Sequence, residues 1–93
     1  MKKNITIKRE SCIDILNKLG NEILNEMKQD FPLLREVIIR TCGPTYMMVV
    51  FSFDCSSECK RIVNYITEKY NLEYQRKEFN PIHGTDDFVF FIK

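Results

Sequence analysis

The chain has no tryptophan, one histidine, three glycines and three prolines in 93 residues. Gly20, Gly43 and Gly84 stand singly, so no glycine-rich loop is available to cradle a phosphate. No apolar stretch approaches the roughly 18 residues that a membrane-spanning helix needs. The N-terminal MKKNITIKRES carries basic residues with no apolar segment after them, so it does not read as a secretory signal, and the expected compartment is the cytoplasm. A net charge of +1 lacks the basic excess of a domain built to grip a phosphate backbone, and it equally excludes an acidic mimic of nucleic acid.

What is present suits a globular protein: 44% hydrophobic and 29% charged residues. The length predicts a single domain over 1–93 with a modest core, the kind that gains stability from a partner or from self-association. Abundant Lys, Asn, Ile and Glu with no Ala match the coding bias of an AT-rich genome, as in some low-GC bacteria and their phages.

Periodicity divides the chain into seven elements. Residues 4–8, NITIK, alternate as a short strand. Ser11 offers an N-cap to a helix whose stripe is Cys12, Ile15, Leu16, Leu19, Ile23 and Met27, ending before Pro32. Residues 34–42 and 45–53 are strands around a Gly43-Pro44 turn. Asp54 or a serine after it caps a second helix with Cys59, Ile62, Val63, Ile66 and Tyr70 on one face, closed at Asn71. Residues 72–79 and the terminal DFVFFI are strands joined by NPIHGT.

The order β-α-β-β-α-β-β predicts an α+β two-layer sandwich of ferredoxin-like form. It would hold one antiparallel sheet with both helices on one face, the extra C-terminal strand pairing with the strand before it. A shift of 47 residues aligns Cys12, Ile15, Leu16, Asn17 and Leu19 with Cys59, Ile62, Val63, Asn64 and Ile66, which suggests an α-β-β unit used twice.

Four cysteines raise the question of chemistry. Cys55 and Cys59 form CxxxC rather than CxxC, bridge poorly across one helical turn, and lie beside Asp54 and Glu58, which oppose a lowered thiol pKa. In a ferredoxin-like fold Cys12, Cys55, Cys59 and His83 would meet at one end of the sheet as a candidate zinc set, with Cys42 at the opposite end. Their spacing fits no standard zinc motif, and Cys12 and Cys59 lie on apolar stripes where cysteine packs as a small hydrophobe. The expectation is therefore no metal and no cofactor.

Catalytic parts are equally sparse. A Cys55–His83 nucleophilic pair has no third orienting group. Asp86 and Asp87 are neighbours in a strand and point to opposite faces. Aromatic Tyr46, Phe51 and Phe53 are arranged somewhat like an RNA-stacking strand, but Lys60, Arg61, Arg76 and Lys77 are interleaved with Glu58, Glu68, Glu73 and Glu78 as on an ordinary solvated surface. Nucleic acid is thus not the expected partner.

One anomaly remains. In a two-layer sandwich, strands alternate between apolar and polar, yet 46–53 and 88–92 are apolar on both faces. If Met47, Val49, Phe51, Phe53, Phe88, Phe90 and Ile92 meet the helices, then Tyr46, Met48, Val50, Val89 and Phe91 remain on the open face and call for a cover. The sequence therefore points away from an enzyme. It suggests a small protein-binding module, homodimeric through that face, of the kind a phage or mobile element uses as a stoichiometric inhibitor of a host protein. An RNA- or DNA-binding domain and a zinc-stabilised domain are the alternatives.

Overall fold

The computed structural model describes residues 2, 5, 13–42, 46–54 and 58–92, with the side chains of Cys42 and Tyr46 outside that description. Helix α1 spans Ile13–Met27, strands β1 Leu34–Cys42 and β2 Tyr46–Asp54, helix α2 Cys59–Lys69, and strands β3 Leu72–Asn80 and β4 Thr85–Ile92. The fold is α+β, a four-stranded sheet in the order β1-β2-β4-β3 with every neighbouring pair antiparallel. The described helices are not long and apolar enough to cross a membrane.

The ferredoxin-like order is not the order of these strands: the C-terminal strand lies beside β2 as well as beside β3. The composition of the last hairpin accounts for this. Strand β3, LEYQRKEFN, is charged and exposed along most of its length, whereas β4 has three consecutive buried residues, Phe88, Val89 and Phe90. A strand apolar on both faces belongs inside a sheet, and a charged one suits the edge. Of the expected strand 4–8, Ile5 is buried in the core but is not in a strand; the remainder lies outside the described residues, as do Ser11 and the Gly43-Pro44 turn.

Pairing register fixes the faces. Across the sheet, Ile39, Val49, Phe90 and Tyr74 form one row and Val37, Phe51, Phe88 and Lys77 another. Val37, Ile39, Val49, Phe51, Phe53, Phe88 and Phe90 are buried in one cluster with Leu16, Ile23 and Met27 of α1 and Ile62 and Ile66 of α2. Edge-to-face aromatic contacts tie it together, with ring centroids 5.4 Å apart for both Phe51–Phe90 and Phe53–Phe88.

On α1 the buried stripe is Leu16, Gly20, Ile23 and Met27. Ile15 is 55% exposed, because the helix leans on Gly20 and turns Ile15 outward. A Cβ at Gly20 would lie 2.4 Å from the Val37 carbonyl oxygen, so glycine is what lets α1 press against β1. Helix α2 buries Ile62 and Ile66 and ends with Tyr70 in extended backbone, its N–H bonded to the Ile66 carbonyl, rather than in a left-handed cap at Asn71. Asp54 completes β2, and Glu58 precedes α2 without a side-chain cap.

The helices are bridged near their C-terminal ends. Phe31, just after α1, stacks edge-on against Tyr65 at 4.8 Å and Phe53 at 5.9 Å, with the Arg61 guanidinium 4.7 Å above its ring. Tyr65 donates to Asp30 at 2.8 Å, and the fully buried Tyr70 donates to Glu26 at 2.6 Å. Burial first, and the Glu26 carboxylate second, hold the Tyr70 phenol far above the ordinary tyrosine range.

Two predictions follow from this packing. Gly20→Ala gains about 1 kcal/mol of helix propensity but meets the Val37 backbone, so we expect a net loss of about 1–2 kcal/mol in denaturant unfolding. A raised folded-state pKa at Tyr70 means that only the unfolded chain ionises as pH passes about 10, so stability should fall from there upward. In a series of unfolding curves from pH 8 to 11, Tyr70→Phe should lose part of that decline.

Candidate functional site

The helix-free face of the sheet is patterned by the same registers. Its rows are Arg40–Met48–Phe91–Glu73, Ile38–Val50–Val89–Arg76 and Glu36–Ser52–Asp87–Glu78. The two central strands thus contribute apolar side chains in the first two rows. The flanking positions on β1 and β3 are charged, apart from Ile38. The face therefore has an apolar centre and a charged margin.

Of the five residues expected on this face, the structure places Met48, Val50, Val89 and Phe91 there, and Tyr46 begins β2 with its side chain outside the description. They are not equally accessible. Val50 and Val89 are 4% and 3% exposed, paired opposite one another between the longer Ile38 and Arg76. Met48 and Phe91 are half-buried, as is Ile38. The contact surface these residues can offer therefore centres on Ile38, Met48 and Phe91, with the valines as its floor.

Toward the β3–β4 hairpin the face deepens into a hollow of about 270 Å³ between β1 and the loop, floored by Val50, Ser52 and Thr85 and bordered by Arg35, Arg40 and Asp87. The hairpin loop is held by Asn80, whose side-chain oxygen accepts the backbone N–H of Ile82 at 3.0 Å and of His83 at 3.3 Å. Gly84 closes it with φ +65° and donates its N–H to the Asn80 carbonyl at 2.8 Å. A register irregularity between Leu34 and Glu36 re-aims Arg35, which donates to the His83 carbonyl at 3.2 Å and lies 3.6 Å from the Asp54 carboxylate. Inside the hollow, Thr85 is 2% exposed and donates to Asp87 at 2.8 Å.

Of the candidate zinc ligands, the two described, His83 and Cys59, are not brought together. His83 borders the hollow on the open face, drawn there by the Arg35 bond to its carbonyl. Cys59 is half-buried on the other face, in a groove with Val63 and Tyr74. Cys12 and Cys55 lie outside the described residues, and among the described residues no cluster of three metal-ligating side chains occurs. Burial, with the Cys59 thiol as the next contributor, raises the pKa of Tyr74 beside that groove.

Of the basic residues, Arg61 pairs with Glu58 at 2.9 Å while capping Phe31, and Arg76 pairs with Glu78. Each is engaged by an acidic neighbour on the surface, where such pairs contribute about 0–1 kcal/mol. Ile38 and Arg35 were not among the residues expected on this face. Parity alone could have placed Ile38 beside Val50, but nothing local signals that a loop residue 48 positions away would meet Arg35.

No family model matches the chain, and neither a curated protein nor a solved structure is found that matches it. The geometry carries one prediction of its own. Asn80→Ala removes both side-chain bonds to the loop, so we expect a loss of about 1 kcal/mol and faster amide exchange at Ile82 and His83. Protection unchanged at both amides would show that Asn80 does not set the loop.

Proposed function

We propose that the chain is a small protein-binding module whose contact surface is the helix-free face of the sheet. It would act by occupying a surface of another protein, as a stoichiometric inhibitor does. The observation that supports this is the apolar centre formed by Ile38, Met48 and Phe91 over Val50 and Val89, with Arg40, Glu36, Glu73 and Arg76 along its margins. Half-buried apolar side chains gain roughly 25 cal/mol per Å² when covered, and the charged margin would select the partner and orient it.

The sheet order also supports the idea of a duplicated unit. Each half, α1-β1-β2 and α2-β3-β4, places its second strand at the centre, and those two strands pair antiparallel, as two copies about a two-fold axis would. The weight here rests on topology. The offset of 47 that aligns the helices does not align the hairpins, whose first strands begin at Leu34 and Leu72.

The test is a charge on the accessible part of the face. Met48→Lys and Phe91→Glu should keep the native circular dichroism spectrum yet lose a partner that the wild type carries stoichiometrically through gel filtration from its source cells. Glu22→Lys, on the exposed side of α1, should retain it. Retention of the partner by both face variants would refute the assignment. Val50→Lys is the wrong probe, because a lysine at a position 4% exposed would destabilise the fold itself.

A further inference from the structure

The sheet has two outer strands, and they differ in kind. Strand β3 is defended against pairing: its register breaks between Tyr74 and Arg76, and it carries Arg76, Lys77 and Glu78 in succession. If it paired antiparallel with a second copy over its full length, its centre would set Arg76 opposite Arg76. Strand β1 has no such defence in its middle, which reads Glu36-Val37-Ile38-Ile39-Arg40. Its register break falls at one end, beside Arg35, and no described strand pairs with its outer edge.

The sequence of β1 is complementary to itself. Antiparallel pairing of two copies about a two-fold axis normal to the sheet keeps each residue on its own face, so only residues of equal parity can be opposite one another. The register that overlaps the whole of Leu34–Cys42 is centred on Ile38. It sets Ile38 against Ile38, Val37 against Ile39 of the second copy, and Glu36 against Arg40 of the second copy, the last pair occurring twice. A shift of two residues in one direction puts Glu36 opposite Ile38, and in the other puts Arg40 opposite Ile38. The full-overlap register alone joins opposite charges to each other and apolar side chains to each other. Glu36 and Arg40 are both exposed and lie on the same face, so each can reach its counterpart.

We propose that β1 is a self-pairing edge through which two copies of the chain join into one continuous eight-stranded antiparallel sheet, in the register centred on Ile38. The occupant is a second copy because the charge order along the strand is its own complement. The proposal concerns the edge of the sheet; it shares Glu36, Ile38 and Arg40 with the face proposed above, but its readout, self-association of the purified chain, is separate from partner binding.

The experiment uses charge exchange between purified variants, read by sedimentation velocity on the full chain. The wild type should be a dimer at tens of micromolar. E36R places a cation opposite Arg40 at both ends of the seam, and R40E places an anion opposite Glu36 at both ends. Each single variant should weaken the dimer at least about tenfold in Kd. Mixing E36R with R40E should restore a heterodimer, because every charged pair is then complementary, and the double variant E36R/R40E should restore the homodimer. Circular dichroism establishes that these exposed substitutions leave the fold intact. A monomeric wild type at that concentration would overturn the proposal. So would single variants that dimerise like the wild type, or a failure of the mixture to recombine. Met48→Lys should leave this dimer unchanged, so that loss of partner binding and loss of the seam are separate readouts.

Discussion

The antiparallel pairing of β2 with β4 is the constraint on which the rest depends. Seven residue pairs from Met48↔Phe91 to Asp54↔Thr85 join segments more than thirty residues apart and set the centre of the sheet. Their register places Phe51 opposite Phe88 and Val49 opposite Phe90 on the face that meets the helices. It places Val50 opposite Val89 on the other face. A slip of one residue would turn the phenylalanines to solvent, so the aromatic core specifies the register strongly. Because both partners are apolar on both faces, they can only be interior strands, and β1 and β3 become the edges.

The helix layer is then attached unevenly. Helix α1 lies against β1 through Gly20, whose missing side chain permits backbone-to-helix contact at Val37. Helix α2 is held more by side chains. Ile62 and Ile66 are buried in the core, Phe31 is lodged against Tyr65 and Phe53, and Tyr70 reaches Glu26. The aromatic bridge does what direct helix–helix packing would otherwise do, filling the space between α1 and α2 with the ring of a connecting residue. The Arg61 guanidinium lies 4.7 Å above that ring while pairing with Glu58.

Much of this could be read from the chain because the patterns are local. Period-two alternation put Val49, Phe51, Phe53, Phe88 and Phe90 on one face, and the stripe of Ile62, Ile66 and Tyr70 oriented α2. The errors arose where the deciding contact is distant. Ile15 looked like a stripe residue because it is apolar, but Gly20, four residues after Leu16 and three before Ile23, marks the true axis of contact. Alternation within single strands does not give the strand order, because it does not say which strands are neighbours. The clue was the contrast between a charged β3 and a doubly apolar β4. The hollow was illegible because it depends on a hairpin loop meeting Arg35 across the sheet, and the gathering of Cys59 with His83 failed for the same reason.

The two surfaces left by this architecture are compatible in geometry. A two-fold axis normal to the sheet, as β1 self-pairing demands, keeps the helix-free faces of both copies on the same side. It thereby extends the apolar centre from one chain's Ile38 to the next across the seam. Sheet-on-sheet dimerisation through Met48 and Phe91 would instead bury both faces and leave β1 free. The two modes therefore differ in what remains available for another protein. The edge mode leaves a contact face of doubled width, and the face mode consumes it. Val50 and Val89 are already 4% and 3% exposed within one chain, so a face-to-face dimer would gain little from them, while the edge gains a full ladder of backbone hydrogen bonds in addition to its side-chain pairs. Under the two proposals, self-association would use the edge and the face would stay open to a different protein.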